Sequence, residues 1–309
     1  MKRWRDLLRV ALVAVAFALG AFAVARDLDG FVAAVRSIGF GRAFAGFALV
    51  VVGLLVSGEV WRACVAATAG RLSSPAGRRV FFVTQLGKYL PGAVWPVLAQ
   101  IEAARRHGLI ASRMAIGSLL FLALHLLTGL LVAAGLLPWA STDLLARYPW
   151  VFALVPVMAL GLAPPVLGRA VTFGLRLLRR PPLPTPLTLG DIALPSGLLL
   201  VTWSFYGAGA AVVAAPLQTD GGSWPLFAAV TGGFALAWAV GVLFLPAPAG
   251  VGAREVVLVL ALAPMVGTTS ATSIAIVLRV IHTAGDLALA LVSRLGRPAP
   301  EPQPANESG

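Results

Sequence analysis

The sequence is poor in charged and chemically reactive residues. Only 12% of its 309 residues are charged, about half of the roughly 25% found in soluble domains. Cys64 is the only cysteine, so neither an internal disulfide nor a cysteine-based zinc site can form. The three histidines are far apart, and no HExxH, Walker lysine loop or Gly-x-Ser-x-Gly motif occurs. We therefore expect no enzyme, no metal site, no cofactor and no ATP-driven pump, unless a partner supplies the ATPase.

Apolar residues dominate instead. They make up 59% of the chain, the mean hydropathy is +0.90, and several runs reach the roughly 20 residues that a membrane-spanning helix needs. A soluble fold cannot bury so much apolar surface. We predict an all-α polytopic membrane protein with seven or eight transmembrane helices and one or two re-entrant or broken segments. The expected spans are near residues 8–25, 43–69, 113–137, 150–168, 192–215, 226–246, 251–267 and 270–293.

The net charge of +12 comes from the loops between these runs. If the N-terminus is cytoplasmic, 18 of the 24 Lys and Arg residues lie on the cytoplasmic side, which is the pattern of the positive-inside rule. This explanation removes the need for a nucleic-acid partner. Basic residues on this side can also contact anionic headgroups, at about 1 kcal/mol each. We expect a multi-pass protein of the plasma (inner) membrane.

The first run has two interpretations. Its basic start and the sequence Ala23-Val24-Ala25 are also typical of a signal peptide and its cleavage site. We favour an uncleaved anchor. Cleavage would instead give a mature chain that starts at Arg26.

Proline-rich segments divide the chain. Residues 181–191 are predicted to be a cytoplasmic linker between an N-terminal group of spans, residues 1–180, and a C-terminal group, residues 192–297. Residues 298–309 contain Pro, Glu, Gln, Asn and Ser and cannot bury an apolar face, so we expect a disordered tail.

Two segments interrupt the pattern of spans. Residues 80–100 are fairly apolar but contain Lys88, Pro91 and Gly92 between basic flanks. We predict that this segment is re-entrant, because a full crossing would move the later basic loops outside. Residues 245–255, LPAPAGVGARE, form the second break, and the run at 251–267 after it either spans or re-enters. Paired breaks in the two halves are typical of a transporter's binding site, whereas tight loops are the simpler explanation.

The sequences around these breaks resemble those of a known family. They are GKYLPGAVWPVLAQIEAARRHG, residues 87–108, and LPAPAGVGAREVVLVLAL, residues 245–262. The elements Leu90-Pro91-Gly92 and Gly252-Ala253-Arg254-Glu255, with Arg279 in the last span, resemble the lysylphosphatidylglycerol synthase transmembrane, or flippase-like, family. The resemblance implies a helical bundle that moves lipids, aminoacylated lipids or lipid-linked glycans between leaflets. Bifunctional members add a soluble aminoacyl-transferase domain; these residues end at Gly309 without one, so we expect no synthase activity.

Arg254 is the leading candidate for lipid binding. A guanidinium beside a Gly-rich turn with free backbone amides suits a phosphate. Glu255 suits the positive end of the helix that follows, and Lys88 either holds a phosphate or extends its ammonium to the surface. We assign headgroup binding to Lys88, Tyr89, Pro91, Gly92, Gly250, Gly252, Arg254 and Glu255.

Other charged residues fall inside the spans, where charge is costly. Glu59 and Arg62 share one helix face and either neutralise each other or act in gating or headgroup contact. Arg279, His282 and Asp286 also share a face, as a proton relay or, as we favour, a self-neutralising polar stripe. His125 is expected to be packed and hydrogen-bonded.

We expect a flippase-like transporter whose partners are membrane lipids, anionic or polyprenyl-phosphate. A non-catalytic scaffold for a separate lipid-modifying or glycosyl transferase is the alternative. A third hypothesis is a membrane-embedded transferase that uses isolated carboxylates.

Overall fold

The computed structural model describes residues 28–90, 95–140, 153–177, 183, 185–218, 222–244 and 248–295. Throughout these ranges the chain is helical without β-strands, which confirms the all-α prediction. The expected first span, residues 8–25, lies outside the described residues. So do Pro91, Gly92 and the tail at 298–309.

The described helices have the following bounds. In chain order they are α1 (Leu28–Thr68), α2 (Ser74–Gln85), α3 (Trp95–Arg106), α4 (Ala111–Leu136), α5 (Leu154–Gly161), α6 (Pro164–Leu177), α7 (Gly190–Ala214), α8 (Ser223–Leu243), α9 (Ala253–Val266) and α10 (Thr268–Leu295). Short 3-10 turns follow α2 (Leu86–Tyr89), α4 (Leu137–Ala140) and α7 (Ala215–Leu217), and another precedes α9 (Pro248–Gly250).

Five of these helices, α1, α4, α7, α8 and α10, are long and apolar enough to cross a membrane. Helices α5 and α6 make a sixth crossing if they form one broken span. The protein is therefore a multi-pass membrane protein. The predicted seven or eight spans exceed this count but are compatible with it, because the expected first span is outside the described residues.

The expected single span at 150–168 is instead a bent pair. Helices α5 and α6 meet at an angle of 59°. Pro164 and Pro165 start α6; proline lacks an amide hydrogen and disfavours helical geometry in the residue before it, here Ala163. The run at 251–267 also differs from a full span, since α9 has 14 residues and is about 21 Å long, short of the roughly 30 Å hydrocarbon core.

Helices from both predicted groups of spans share one core. Helix α1 packs along α7 and α10, and α8 packs against α4 and α9. The backbones of α1 and α7 approach closely at Gly46 and Gly209, where a methyl group on Gly209 would lie 3.0 Å from the Gly46 carbonyl oxygen. Such contacts between small residues are how helices associate in lipid.

The outward faces of the long helices are apolar as well. Their exposed large side chains face lipid in a membrane, where the helix backbone already satisfies its own hydrogen bonds. Examples from four of these helices are Phe44, Leu119, Leu194 and Val280.

The two predicted breaks lie side by side. The turn Leu86–Tyr89 contacts the turn Pro248–Gly250, although they are far apart in the sequence. Helix α10 packs against α2 and the turn Leu86–Tyr89, and α8 packs against α9 and the turn Pro248–Gly250. A cavity lies between these elements.

Candidate functional site

The cavity has a volume of about 60 Å³. This is room for about four water molecules or a group the size of a phosphate. Its polar lining consists of Lys88, Tyr89, Arg254, Glu255, Arg279, His282, Thr283 and Asp286, and its apolar lining includes Leu54, Tyr206, Phe234, Ala237, Trp238 and Leu258.

The start of α9 is fixed by its glycines and by Glu255. Gly250 has φ 68° and Gly252 has φ 84°, a region that residues with a side chain rarely adopt. Glu255 accepts a hydrogen bond from the amide of Gly252 at 2.7 Å, which caps the helix start. Its other carboxylate oxygen pairs with Arg279 of α10. Glu255 thus joins the second break to the last span.

A second ion pair joins the first break to the same helix. Lys88 Nζ lies 2.6 Å from Asp286 Oδ2, and the Tyr89 hydroxyl donates to that oxygen at 2.6 Å. Burial and then the negative charge of Asp286 raise the pKa of Tyr89, so the phenol keeps the proton that it donates. The Asp286 side chain is 5% exposed. Both breaks are therefore tied to α10 through carboxylates.

Arg254 differs from the other cations of the cavity. No carboxylate of the described residues pairs with it, and its guanidinium carbon lies 5.4 Å from the centre of the Phe234 ring. The described lining holds three cations and two carboxylates, and both carboxylates are paired with the other two cations. The cavity therefore has one uncompensated positive charge, on Arg254, beside an aromatic face.

The alkyl part of Arg254 lies against Gly241 of α8. A methyl group on Gly241 would come within 2.2 Å of Arg254 Cγ, which is too close for any real contact. The missing side chain at this position leaves the space that Arg254 fills.

We expect Gly241→Ala to displace Arg254 and to destabilise the protein by about 1–3 kcal/mol, the usual range for overpacking. Gly135→Ala on α4 is the matched control, because a methyl group there meets no atom within 4 Å. The free energy of unfolding in mixed detergent micelles measures both effects. Equal values for the two variants would contradict the packing described at Gly241.

His282 lies in the cavity without contacting its polar neighbours on α10. Its Nδ1 donates to the carbonyl oxygen of Leu278 at 2.9 Å, since a carbonyl can only accept. Its ring packs 4.7 Å from Phe234, and Nε2 has no hydrogen-bond partner within the described ranges. Arg279 and Asp286 pair with residues of other elements instead. The described contacts therefore do not link the three residues into a relay.

Glu59 and Arg62 lie outside the cavity lining. They pair with each other, and Glu59 also accepts from Arg78 Nε of α2 at 2.8 Å. Arg62 donates to the carbonyl oxygen of Leu72 at 3.3 Å. These contacts join α1 to α2 and the loop between them.

His125 is packed as expected, with its ring stacked 4.3 Å from Trp238. The expected hydrogen bond is not found, because neither ring nitrogen has a partner among the residues that the structure describes. The rings of Phe121, Trp203 and Trp238 surround it, and the indole N–H of Trp203 donates to Thr128 instead.

The residues around the cavity that were not predicted from the sequence include Tyr206, Phe234, Trp238 and Gly241. Three of them occur at i, i+4 and i+7 on α8, so they share one helix face. The sequence pattern that could have indicated them is two aromatic residues and a glycine at this spacing in an Ala-rich span.

No group of three or more His, Cys, Asp or Glu in the described part of the chain could hold a metal ion.

A known protein family matches most of the chain. The family model described as "Lysylphosphatidylglycerol synthase TM region" matches residues 7–290. This range covers both breaks and every residue that lines the cavity. No curated protein matches the chain.

Proposed function

We propose that this chain, which belongs to the lysylphosphatidylglycerol synthase TM region family, is a flippase-like transporter. Membership of that family suggests a membrane protein of lipid modification or transport. It moves a phospholipid, an aminoacylated lipid or a lipid-linked intermediate between leaflets of the plasma membrane. Its N-terminus is cytoplasmic, and the transport step needs no catalytic residue of this chain.

The single observation that carries this proposal is the position of Arg254, which pairs with no described carboxylate, in a cavity bounded by both breaks. A guanidinium offers paired N–H donors that match the oxygens of a phosphate. One uncompensated positive charge suits one negative charge, as on a phosphodiester headgroup. The low local dielectric strengthens the attraction.

The two ion pairs position this binding group. Glu255 fixes the start of α9, where Arg254 is the second residue, and pairs with α10. Asp286 holds Lys88 and Tyr89 of the first turn. The phosphate binds between these walls while the acyl chains stay in lipid. Transport then requires that the elements bearing the two breaks move relative to each other.

The test is transport of a fluorescent phospholipid in liposomes that contain this protein alone. We expect the labelled lipid to cross faster than in protein-free liposomes, as measured by chemical quenching of the outer leaflet. No acceleration, followed by activity only when a separate transferase is added, would favour the scaffold. A lipid product formed from a donor substrate would favour the membrane-embedded transferase.

A further inference from the structure

A second groove lies outside the cavity. It is formed by α6 with Leu183, Pro186 and Leu187, and its volume is about 700 Å³. None of its lining residues lines the first cavity. Those that bear on its chemistry are Arg169, Thr172, Phe173, Arg176, Leu183 and Leu187.

Helix α6 has an apolar face and an opposite face that combines arginine with phenylalanine. Its buried face carries Leu167 and Leu175. The opposite face carries Arg169, Phe173 and Arg176, at i, i+4 and i+7. The Phe173 side chain is 70% exposed, which is costly in water and favourable among lipid chains.

The two arginines flank the phenyl ring. They lie two helical turns apart, about 10 Å along the axis. Both are exposed, and neither pairs with a carboxylate of the described ranges. The groove is also lined by Leu183 and Leu187. Two guanidinium groups that pair with no described carboxylate, beside a mainly apolar groove, match a ligand with a negative head and a hydrocarbon chain.

We infer that this groove binds one anionic phospholipid of the cytoplasmic leaflet, with its phosphate at Arg169 and Arg176 and its acyl chain beside Phe173. The positive-inside pattern places these arginines on the cytoplasmic side. The α5–α6 bend turns α6 away from the direction of α5, and the lipid fills the groove that α6 forms with Leu183 and Leu187. This site does not depend on the transport function proposed for the cavity.

The test counts bound lipids on the purified full chain by native mass spectrometry, with phosphatidylglycerol or phosphatidylcholine added. We expect the double variant Arg169→Gln/Arg176→Gln to weaken one phosphatidylglycerol binding step about thirtyfold. Phosphatidylcholine binding should not change. Arg294→Gln, at the exposed end of α10, removes one such charge elsewhere and should have little effect.

The outcomes separate the two sites. Arg254→Ala should weaken a different binding step, and the combined variant should weaken both. A failure of Arg254→Ala alone would contradict the proposed function and leave the groove intact. Unchanged binding in the double variant, an equal loss with Arg294→Gln, or equal affinity for phosphatidylcholine would overturn the groove site. Because both arginines are exposed, size-exclusion profiles of the variants should match the wild type.

Discussion

Replacement of Arg254 by Ala is expected to lower lipid transport at least tenfold and to leave the fold intact. A hydrogen bond to a charged group contributes about 1.5–3 kcal/mol, and about 1.4 kcal/mol corresponds to a factor of ten. The fold should survive because no described carboxylate loses a partner. The measurement is the transport rate in liposomes at equal protein content.

Two further variants make this result specific. Arg254→Lys keeps the charge but loses the paired donors, so it should retain only part of the activity. Arg294→Ala removes one positive charge from the end of α10 and should transport at the wild-type rate. Wild-type transport by Arg254→Ala would contradict the headgroup role.

Replacement of Asp286 by Ala is expected to destabilise the protein by about 3 kcal/mol, the lower end for removal of one partner from a buried ion pair. Lys88 and Tyr89 would both lose their shared acceptor. The Lys88 side chain is 33% exposed, so solvent relieves part of the cost and the lower end applies. The free energy of unfolding in mixed micelles provides the measurement.

An exposed ion pair supplies the matched control. Glu102 and Arg105 are 3.4 Å apart with side chains 56% and 70% exposed, so Glu102→Ala should cost less than about 1 kcal/mol. The double variant Lys88→Met/Asp286→Leu should recover most of the loss, because it leaves no unpaired charge. If Asp286→Ala and Glu102→Ala cost the same, the buried pair does not stabilise the fold as described.

Most of the helical architecture followed from hydropathy. The spans predicted at 113–137, 192–215 and 270–293 end within three residues of α4, α7 and α10. The apolar runs there are long and bounded by polar or Pro-containing segments, so their ends are well defined. Hydropathy measures apolar content and carries no information on where a helix axis changes direction. It therefore did not reveal the bend between α5 and α6 or the helical segment of α1 that precedes the kink at Gly39.

The site could be predicted only in part. The Gly and Pro interruptions indicated where the two breaks lie, and helical spacing placed Arg279, His282 and Asp286 on one face. The partners of these residues could not be deduced, because Tyr89 and Asp286 are 197 residues apart. The Gly-rich turn already made Arg254 the leading candidate for a phosphate, whereas Lys88 was assigned either a phosphate or the surface and Arg279 a polar stripe. The tertiary contacts separate them, because Lys88 and Arg279 each pair with a carboxylate.

Headgroup binding at Arg254 is tested most directly by mass spectrometry of the lipids that the purified protein retains. Wild type and Arg254→Ala are compared with the bulk membrane from which they were extracted. We expect the lipids retained by the wild type to be enriched in one anionic or polyprenyl-phosphate class, and we expect Arg254→Ala to lose this enrichment. A lipid profile that matches the bulk membrane in both proteins would contradict headgroup binding at Arg254 and favour the scaffold.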